Sequence, residues 1–185
     1  MAIAETALPY GIRDIKIKKF SDPAGTQLSN DPSIDLPNAR KLSFSEEEDY
    51  EELRGDDRVV ATHGKGAKVK FDFESGGIPL EALAAINGGK VTKTGTSGNE
   101  KKTYTKNTSD ARPYFQITGR AISDSGGDVH CVLYRCKLDE KIEGEFSDGE
   151  FFLMKGGGSA LPLLKNEGED KLYEFIHNEA LTQLT

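Results

Sequence analysis

The 185-residue chain contains no tryptophan, three histidines, two methionines and two cysteines. So few cysteines exclude a disulfide framework of the kind that small secreted domains use, and they fit a reducing compartment. The absence of tryptophan weakens the case for a sugar-binding platform. A chain of this length can bury a sizeable core without disulfides, and we expect a single domain over residues 1–185.

Long apolar runs are also absent. No apolar stretch approaches the roughly 18 residues of a membrane-spanning helix. The first residues, MAIAETALPYG, lack the basic and apolar regions of a secretion signal. We therefore expect a soluble protein with no membrane partner. The net charge of −7, from 24 basic and 31 acidic residues, gives no chain-wide reason to bind nucleic acid.

The two cysteines, Cys131 and Cys136, lie in one predicted strand. Their spacing places the side chains on opposite faces, which is poor geometry for a mutual disulfide. It also differs from the two-residue spacing of zinc knuckles and redox pairs. We expect two small buried thiols, because free cysteine is among the most buried residue types.

Alternation of apolar and polar residues dominates the chain. It is clearest in AKVKFDFE, where Ala67, Val69, Phe71 and Phe73 share one face. The segments IRDIKIKKF, PYFQITGRAI and KLYEFIHNE show the same period. This alternation is typical of antiparallel strands with one face on a core and the other in solvent. The sequence therefore predicts a mainly β fold, an antiparallel β-sandwich or barrel.

The segment VHCVLYRCKL, residues 129–138, is apolar on both faces. A strand of this kind is central in a sheet or buried at an interface. Strict alternation predicts two opposing sets of side chains, namely Val129, Cys131 and Leu133 against Val132, Tyr134, Cys136 and Leu138.

One segment, GGIPLEALAAINGG, breaks the alternation. Pro79 stands at its start and two glycines follow Asn87, and these are helix start and stop signals. Leu80, Leu83 and Ala84 follow helical spacing. The sequence therefore predicts one short α-helix of about ten residues, covering an open end or face of the sheet core.

Three segments are predicted as loops. Residues 21–39 carry three prolines, and residues 93–113 are polar without a core face, although KTYTK could extend a hairpin. Loops of this length are uncommon in compact domains unless they have a function, so both are predicted as extended arms. Residues 155–164 hold three glycines after Lys155 but lack the Lys-Ser/Thr of a phosphate-binding loop. A flexible linker or tight backbone packing explains them better.

No set of residues indicates catalysis, a metal or a cofactor. His63, His130 and His177 lie on separate predicted strands, and no G-x-S-x-G elbow marks a nucleophile. His130 and Cys131 are adjacent in a strand and so point to opposite faces. We expect surface or interface histidines, no catalytic residue and no bound cofactor.

The most unusual stretch is LSFSEEEDYEELRGDDRVVATHG, residues 42–64. Six acids occupy the seven positions from Glu46 to Glu52. Contiguous acids do not match a calcium loop, whose ligands alternate around a glycine. Glutamate and leucine favour helices, but the alternating flanks favour a strand. The integrin-type tripeptide Arg54-Gly55-Asp56 sits where a hairpin turn is expected, and a chance turn explains it better.

The order of these segments resembles the major tail tube proteins of long-tailed (siphovirus-type) bacteriophages. Residues 31–64 are similar to that family's long strand, hairpin turn with a Gly-Asp pair and returning strand. KVKFDFESGGIPLEALAAINGG resembles its strand running into a single helix with paired glycines at the end. KLDEKIEGEFSDGEFFLMKGGGSALP is similar to its later hairpin and glycine-rich turn.

The resemblance implies a β-sandwich or barrel-like core flanked by one helix, related to the tube subunit of type VI secretion. Six copies would close into a ring, and rings would stack into a hollow tube around a tape measure protein. Tail terminator and tail-tip proteins would be further partners, and DNA would pass down the bore without specific binding. The chain would be a structural protein of the virion tail, assembled in the host cytoplasm, and not an enzyme.

Within such a tube, the acidic run gains a role. If Glu46, Glu48 and Glu52 face the bore, six copies would line it with negative charge. Screening acts over ~8 Å at physiological ionic strength, so DNA near the wall would be repelled and DNA on the axis much less. A basic wall would instead release counterions and hold DNA. Under the resemblance, Glu46, Glu48 and Glu52 are the candidate lumen-facing acids.

Alternatives stay open for the acids and for the function. The acids could instead lie on the outer surface or at the contact between rings, where they would meet Lys101, Lys102 or Lys106 of a neighbour. The chain could also be a non-catalytic β-sandwich binding module for a carbohydrate or protein ligand. A small hydrolase that uses Asp or Glu is the third possibility.

Overall fold

The computed structural model describes residue 3, residues 5–164 and residues 170–184. These residues form a mainly antiparallel β fold with one short helix, and this confirms the predicted fold class. The elements, in chain order, are β1 (Pro9–Lys19), β2 (Ile34–Asp35), β3 (Ala39–Gly55), β4 (Arg58–Gly76), α1 (Leu80–Asn87), β5 (Lys90–Thr94), β6 (Lys101–Thr105), β7 (Phe115–Ser123), β8 (Asp128–Lys137), β9 (Ile142–Glu143), β10 (Leu153–Ala160) and β11 (Tyr173–Asn178).

Nine strands form one sheet, and β5 and β6 form a separate pair. The main path of hydrogen-bonded neighbours is β2-β1-β7-β8-β10-β4-β3, with β9 on β10 and β11 on β8. The sheet divides at β8, since residues 128–133 pair with β11 and residues 136–137 pair with β10. There it folds over into two facing layers. Phe71 of β4 consequently packs edge-on against Phe115 of β7, with ring centroids 6.0 Å apart.

The hydrophobic core lies between these layers. Ile15 and Ile17 of β1 point into it, as do Val69, Phe71 and Phe73 of β4, and all five are buried. Alternation predicted this inward face for both strands, because successive side chains of a strand point to opposite faces.

The helix α1 closes the core beside β1 and β2. It begins after its proline and ends before the paired glycines, as predicted. Its buried face is Ala82, Ala85 and Ile86, because two small alanines let the helix approach the sheet closely. The face of the helix predicted to be buried is therefore not the one that packs on the core. The residues of the predicted face are only half-buried: Leu80, Leu83 and Ala84.

The predicted faces of β8 are wrong in its second half, because a β-bulge interrupts the pairing with β7. Leu133 lies opposite Ile117, whereas Cys136 lies opposite Phe115. Arg135, with φ of 37°, sits in the bulge. An extra residue at a bulge shifts the alternation by one position, so Cys136 joins Leu133 on the interior face.

The same bulge corrects the prediction for the cysteines. Cys131 and Cys136 both pack towards the core instead of pointing to opposite faces, and both are free thiols. Burial raises the pKa of the Cys131 thiol to about 11 and raises the pKa of Cys136 further. Both side chains are therefore protonated at neutral pH and act as small apolar groups.

Residues 155–160 of the glycine-rich segment predicted as a loop belong to the strand β10, which pairs with β4 along its whole length. The loop prediction is wrong for these residues, whereas residues 161–164 lie outside any strand or helix. The alternative of tight backbone packing is confirmed at the glycines. A Cβ atom on Gly156 would lie 2.8 Å from the ring of Phe73. One on Gly158 would lie 2.2 Å from the carbonyl oxygen of Lys137.

Replacing Gly158 with alanine is expected to lower the free energy of unfolding by about 1–3 kcal/mol, because the obstructing atom belongs to the backbone and overpacking forces the strands apart. Urea denaturation followed by circular dichroism measures the loss. Gly55→Ala is the matched control, since its added Cβ would meet only a side-chain atom of Val60, at 3.4 Å. Equal stability of the two variants would contradict the tight packing at Gly158.

The two segments predicted as arms contact their own chain. In residues 21–39, Leu36 is buried and its amide donates to the carbonyl of Ile15 at 2.9 Å. Residues 93–113 include β6 and the end of β5, so the second segment is largely a hairpin. Tyr104 of that hairpin donates its hydroxyl proton to the carbonyl of Gly88 at 2.7 Å, which ties the hairpin to the end of α1.

Candidate assembly surface

The longest hairpin of the fold joins β3 and β4, which have 17 and 19 residues. Its base belongs to the sandwich, where Phe44 packs against Tyr173 and Phe175 with ring centroids 5.7 and 5.3 Å apart. Every residue from 49 to 63 is exposed. We call residues 46–65, which include this exposed half, the ribbon.

The ribbon ends in a two-residue turn at Asp56 and Asp57, whose φ angles are 49° and 63°. Positive φ at both central positions is typical of a type I′ turn, whose twist suits a two-residue hairpin. The predicted strand, turn and returning strand are confirmed. The tripeptide Arg54-Gly55-Asp56 therefore spans a strand end and a turn.

The three candidate acids, Glu46, Glu48 and Glu52, lie on one face of β3. Alternate residues of a strand share a face, and the irregularities beside Glu48 and Leu53 leave the extra residues on β4. Each carboxylate has one polar partner: the hydroxyl of Tyr173 for Glu46 at 2.9 Å, the hydroxyl of Tyr50 for Glu48 at 2.8 Å, and the guanidinium of Arg54 for Glu52 at 2.8 Å.

On the opposite face of β3, two acids have their negative charge neutralised by lysines. There Glu47 pairs with Lys70 and Glu51 pairs with Lys65, each at 3.1 Å across the hairpin. A tyrosine hydroxyl, unlike a lysine, leaves the negative charge of its partner uncompensated. The hydrogen bond from Tyr50 to the Glu48 carboxylate accordingly raises the pKa of that tyrosine. The candidate face has one paired cation, Arg54 beside Glu52, against two on the opposite face, so it keeps more net negative charge.

The ribbon combines this charge with exposed apolar side chains. Eight acids and three Lys or Arg residues lie between Glu46 and Lys65, in a chain whose total charge is −7. The apolar side chains are spread over both faces of the ribbon, since Tyr50 and Leu53 are three positions apart on β3. They are 49–65% exposed: Tyr50, Leu53, Val59 and Val60.

The position of β3 in the sheet adds a further interaction element. It is the last strand on its side, and no other strand of the described residues is hydrogen-bonded to its outer edge. Unpaired edge groups are a template for pairing with another chain. The ribbon therefore offers charge, apolar side chains and backbone hydrogen bonds together.

Two of the three lysines named for the rival placement of the acids have partners in their own chain. Lys102 forms an ion pair with Glu81 at 2.6 Å. The ammonium of Lys106 donates to the carbonyls of Asn87 and Asp110 at 2.6 and 2.7 Å. Contact with the acids of a neighbour would compete with these interactions.

A buried polar cluster centres on Asp128, which is fully buried. Its carboxylate accepts hydrogen bonds from Arg120 Nε at 2.6 Å, the Thr182 amide at 2.7 Å and Asn178 Nδ2 at 2.8 Å. Burial alone would raise the pKa of Asp128, but the bonds from Asn178, Thr182 and Arg120, with the nearby His130, lower it to about 2. The cluster holds the C-terminal segment, residues 178–184, on the sheet.

The histidines partly contradict their prediction. His63 is exposed, but His130 is buried, with Nε2 3.1 Å from the Thr182 carbonyl oxygen and 3.5 Å from the Asp128 carboxylate. In the described part of the chain, no three His, Cys, Asp or Glu residues are grouped to hold a metal ion. Among the same residues, no helix has the length and apolar character needed to span a bilayer.

Two comparisons with known proteins found no match. The chain matches no protein-family model, and a search of curated proteins also found no match. The case for an assembly surface rests on the geometry and charge of the ribbon.

Proposed function

We propose that the chain is a structural protein that assembles with itself, as stacked hexameric rings, into a phage tail tube. The ribbon carries this proposal. It presents an acidic face, exposed apolar side chains and a free β edge at one place. The free β edge marks an interaction surface, and no chemistry of bond making is needed to explain the ribbon.

A ring of identical copies requires heterologous contacts, in which one patch meets a different patch on the next copy. The outer edge of β3 supports such a contact, because it can add a neighbouring strand by backbone hydrogen bonds. The apolar side chains of the ribbon would be covered at the same time. In this arrangement the outer edge of β3 would form the contact between neighbouring copies.

The acidic face supports passage of DNA. Glu46 and Glu48 have tyrosine hydroxyls as partners, so their charge would persist on a lumen wall. Such a wall would let DNA slide instead of binding it. The tape measure, tail terminator and tail-tip proteins, and a location in the virion tail, belong to the same proposal.

A non-catalytic binding module is the second candidate. An open groove of about 360 Å³ lies beside Phe44 and Phe175, and small-molecule sites are commonly of this size and largely apolar. A ligand-binding monomer would favour this function over tube assembly.

Gel filtration and negative-stain microscopy of the purified chain, alone and beside a tail-tip complex, test the proposal. Rings or tubes are expected in at least one of the two samples. Val60→Lys should block them, because it places a charge on an apolar part of the ribbon. Ile176→Lys, an exposed apolar position on β11, is the matched control. A folded chain that stays monomeric in both samples would refute tube assembly.

A further inference from the structure

A loop between β9 and β10, residues 144–152, exposes phenylalanine side chains to solvent. Phe151 is 95% exposed and Phe146 is 82% exposed, although Phe146 stacks on Phe152 with ring centroids 4.8 Å apart. Exposed aromatic side chains are frequent anchors of protein interfaces, where they fill a pocket on the partner. Acidic residues surround them in the sequence: Glu143, Glu145, Asp148 and Glu150.

An apolar groove of about 360 Å³ lies elsewhere on the same molecule, between the base of β3 and the middle of β7, β8 and β11. Its apolar lining includes Ile12, Leu42, Ala121 and Val129, and the rings of Phe44 and Phe175 form an aromatic wall. Those two rings lie 5.3 Å apart, and an incoming ring could stack beside them.

The groove is also the positive counterpart of the loop. Arg40, Lys41 and Arg120 line it, and no acid of the described residues does so. Arg120 is largely buried on Asp128, and Arg40 forms an ion pair with Glu74 at 3.4 Å but leaves 61% of its side chain exposed. In a chain of net charge −7, a groove with cations and no acid is a local exception.

We propose that the loop of one copy docks in the groove of the next copy, with Phe151 against the aromatic wall and the loop acids beside Arg40 and Lys41. Loop and groove share no residue. Each copy can therefore give its loop to one neighbour and its groove to another, which is the heterologous geometry that closes a ring. This inference rests on the proposed self-assembly and names the surfaces that carry it.

A reciprocal charge exchange tests the docking. One variant, Asp148→Lys with Glu150→Lys, has a basic loop and a basic groove. The other, Arg40→Glu with Lys41→Glu, has an acidic loop and an acidic groove. Each alone should fail to assemble, because like charges meet. Their equimolar mixture should assemble in alternation, because each loop then meets a groove of opposite charge.

Removal of the aromatic anchor is the second arm of the test. Phe151→Ala should raise the concentration needed for assembly by about tenfold or more. Ile176→Ala, another exposed apolar side chain, should leave it unchanged. Circular dichroism shows whether each variant is folded, and sedimentation velocity measures the assembled fraction.

The outcomes separate this docking from tube assembly itself. Wild-type rings together with full assembly of each charge variant alone, or folded variants whose mixture stays unassembled, would overturn the docking and leave the proposed function standing. If the wild-type chain never assembles, the proposed function fails. Docking is then judged by disulfide cross-linking of two mixed variants, Ser147→Cys with Cys131→Ser and Ala121→Cys with Cys131→Ser. Ser147 is an exposed residue of the loop, so this pair keeps Phe151 in place. A disulfide-linked heterodimer only in the mixture supports docking, and its absence overturns it.

Discussion

Replacing Asp128 with alanine is expected to lower the free energy of unfolding by about 3–5 kcal/mol, which is the typical loss when one partner of a buried ion pair is removed. The carboxylate is fully buried, and Arg120 beside it keeps only 15% of its side chain exposed. Without Asp128 that guanidinium is left buried and unpaired. The amides of Asn178 and Thr182 lose their acceptor at the same time.

The pH dependence of this loss has a definite sign. The pKa of Asp128 is about 2 in the fold, below its ordinary value of 3.8. A lowered pKa means that the carboxylate stabilises the fold above about pH 4 and that this contribution disappears as pH falls towards 2. The difference in stability between wild type and Asp128→Ala should therefore shrink across that interval.

Urea denaturation at pH 7 and at steps down to pH 2 measures both effects. Asp128→Asn keeps the shape but not the charge, so it should lose less stability than alanine and show a weaker acid dependence. Asp49→Ala, an exposed aspartate of the ribbon, should change stability by no more than about 0.5 kcal/mol. Equal effects of Asp49→Ala and Asp128→Ala would refute the anchoring role of Asp128.

If the proposed tube forms with Glu46, Glu48 and Glu52 on its bore, replacing the three together by lysine is expected to slow DNA ejection by about an order of magnitude or more. The change would turn a repelling wall into one that releases counterions on contact with DNA, and such contacts bind DNA strongly. Ejection can be followed by the fluorescence of a DNA-binding dye after the tail is triggered. Added salt should restore part of the rate, because it screens the new attraction.

The opposite face of β3 supplies a control with the same change in charge. Glu47→Lys, Asp49→Lys and Glu51→Lys alter the side of the strand whose acids pair with Lys70 and Lys65. This triple variant should eject DNA at the wild-type rate if it assembles. Slow ejection from the control together with normal ejection from the first variant would place the lumen on the opposite face.

The strands of this fold were predictable where a single physical constraint acts on them. Val69, Phe71 and Phe73 alternate with charged residues, and burying one face of the strand leaves a single register. The helix was predictable at its ends because proline and glycine act locally there. Its buried face was not, since Ala82 and Ala85 are chosen by close packing on the sheet and not by hydrophobicity.

Other features depend on contacts that no local pattern contains. Nothing in the sequence around Arg135 indicates the β-bulge that points the side chain of Cys136 into the core. Glycine is typical of loops, so the sequence favoured a loop at Gly158. The structure needs glycine there because the Lys137 carbonyl oxygen approaches the strand too closely for a Cβ atom. The three candidate acids could be assigned to one strand from the sequence. The partner of Glu46 could not be predicted, because Tyr173 comes from a distant strand.

The ribbon is expected to be less stable against local unfolding than the sandwich. Residues 49–63 are exposed on both faces, and an isolated pair of strands is only marginally stable in water, so this region should open locally at lower free energy than the sandwich. In the proposed assembly, a neighbouring copy that covers the ribbon would have to offset the conformational entropy lost on ordering. First encounters between free copies would then be unfavourable, whereas a preformed ring would order each added copy. The hairpin proposed to join copies would therefore also delay growth until a nucleus exists.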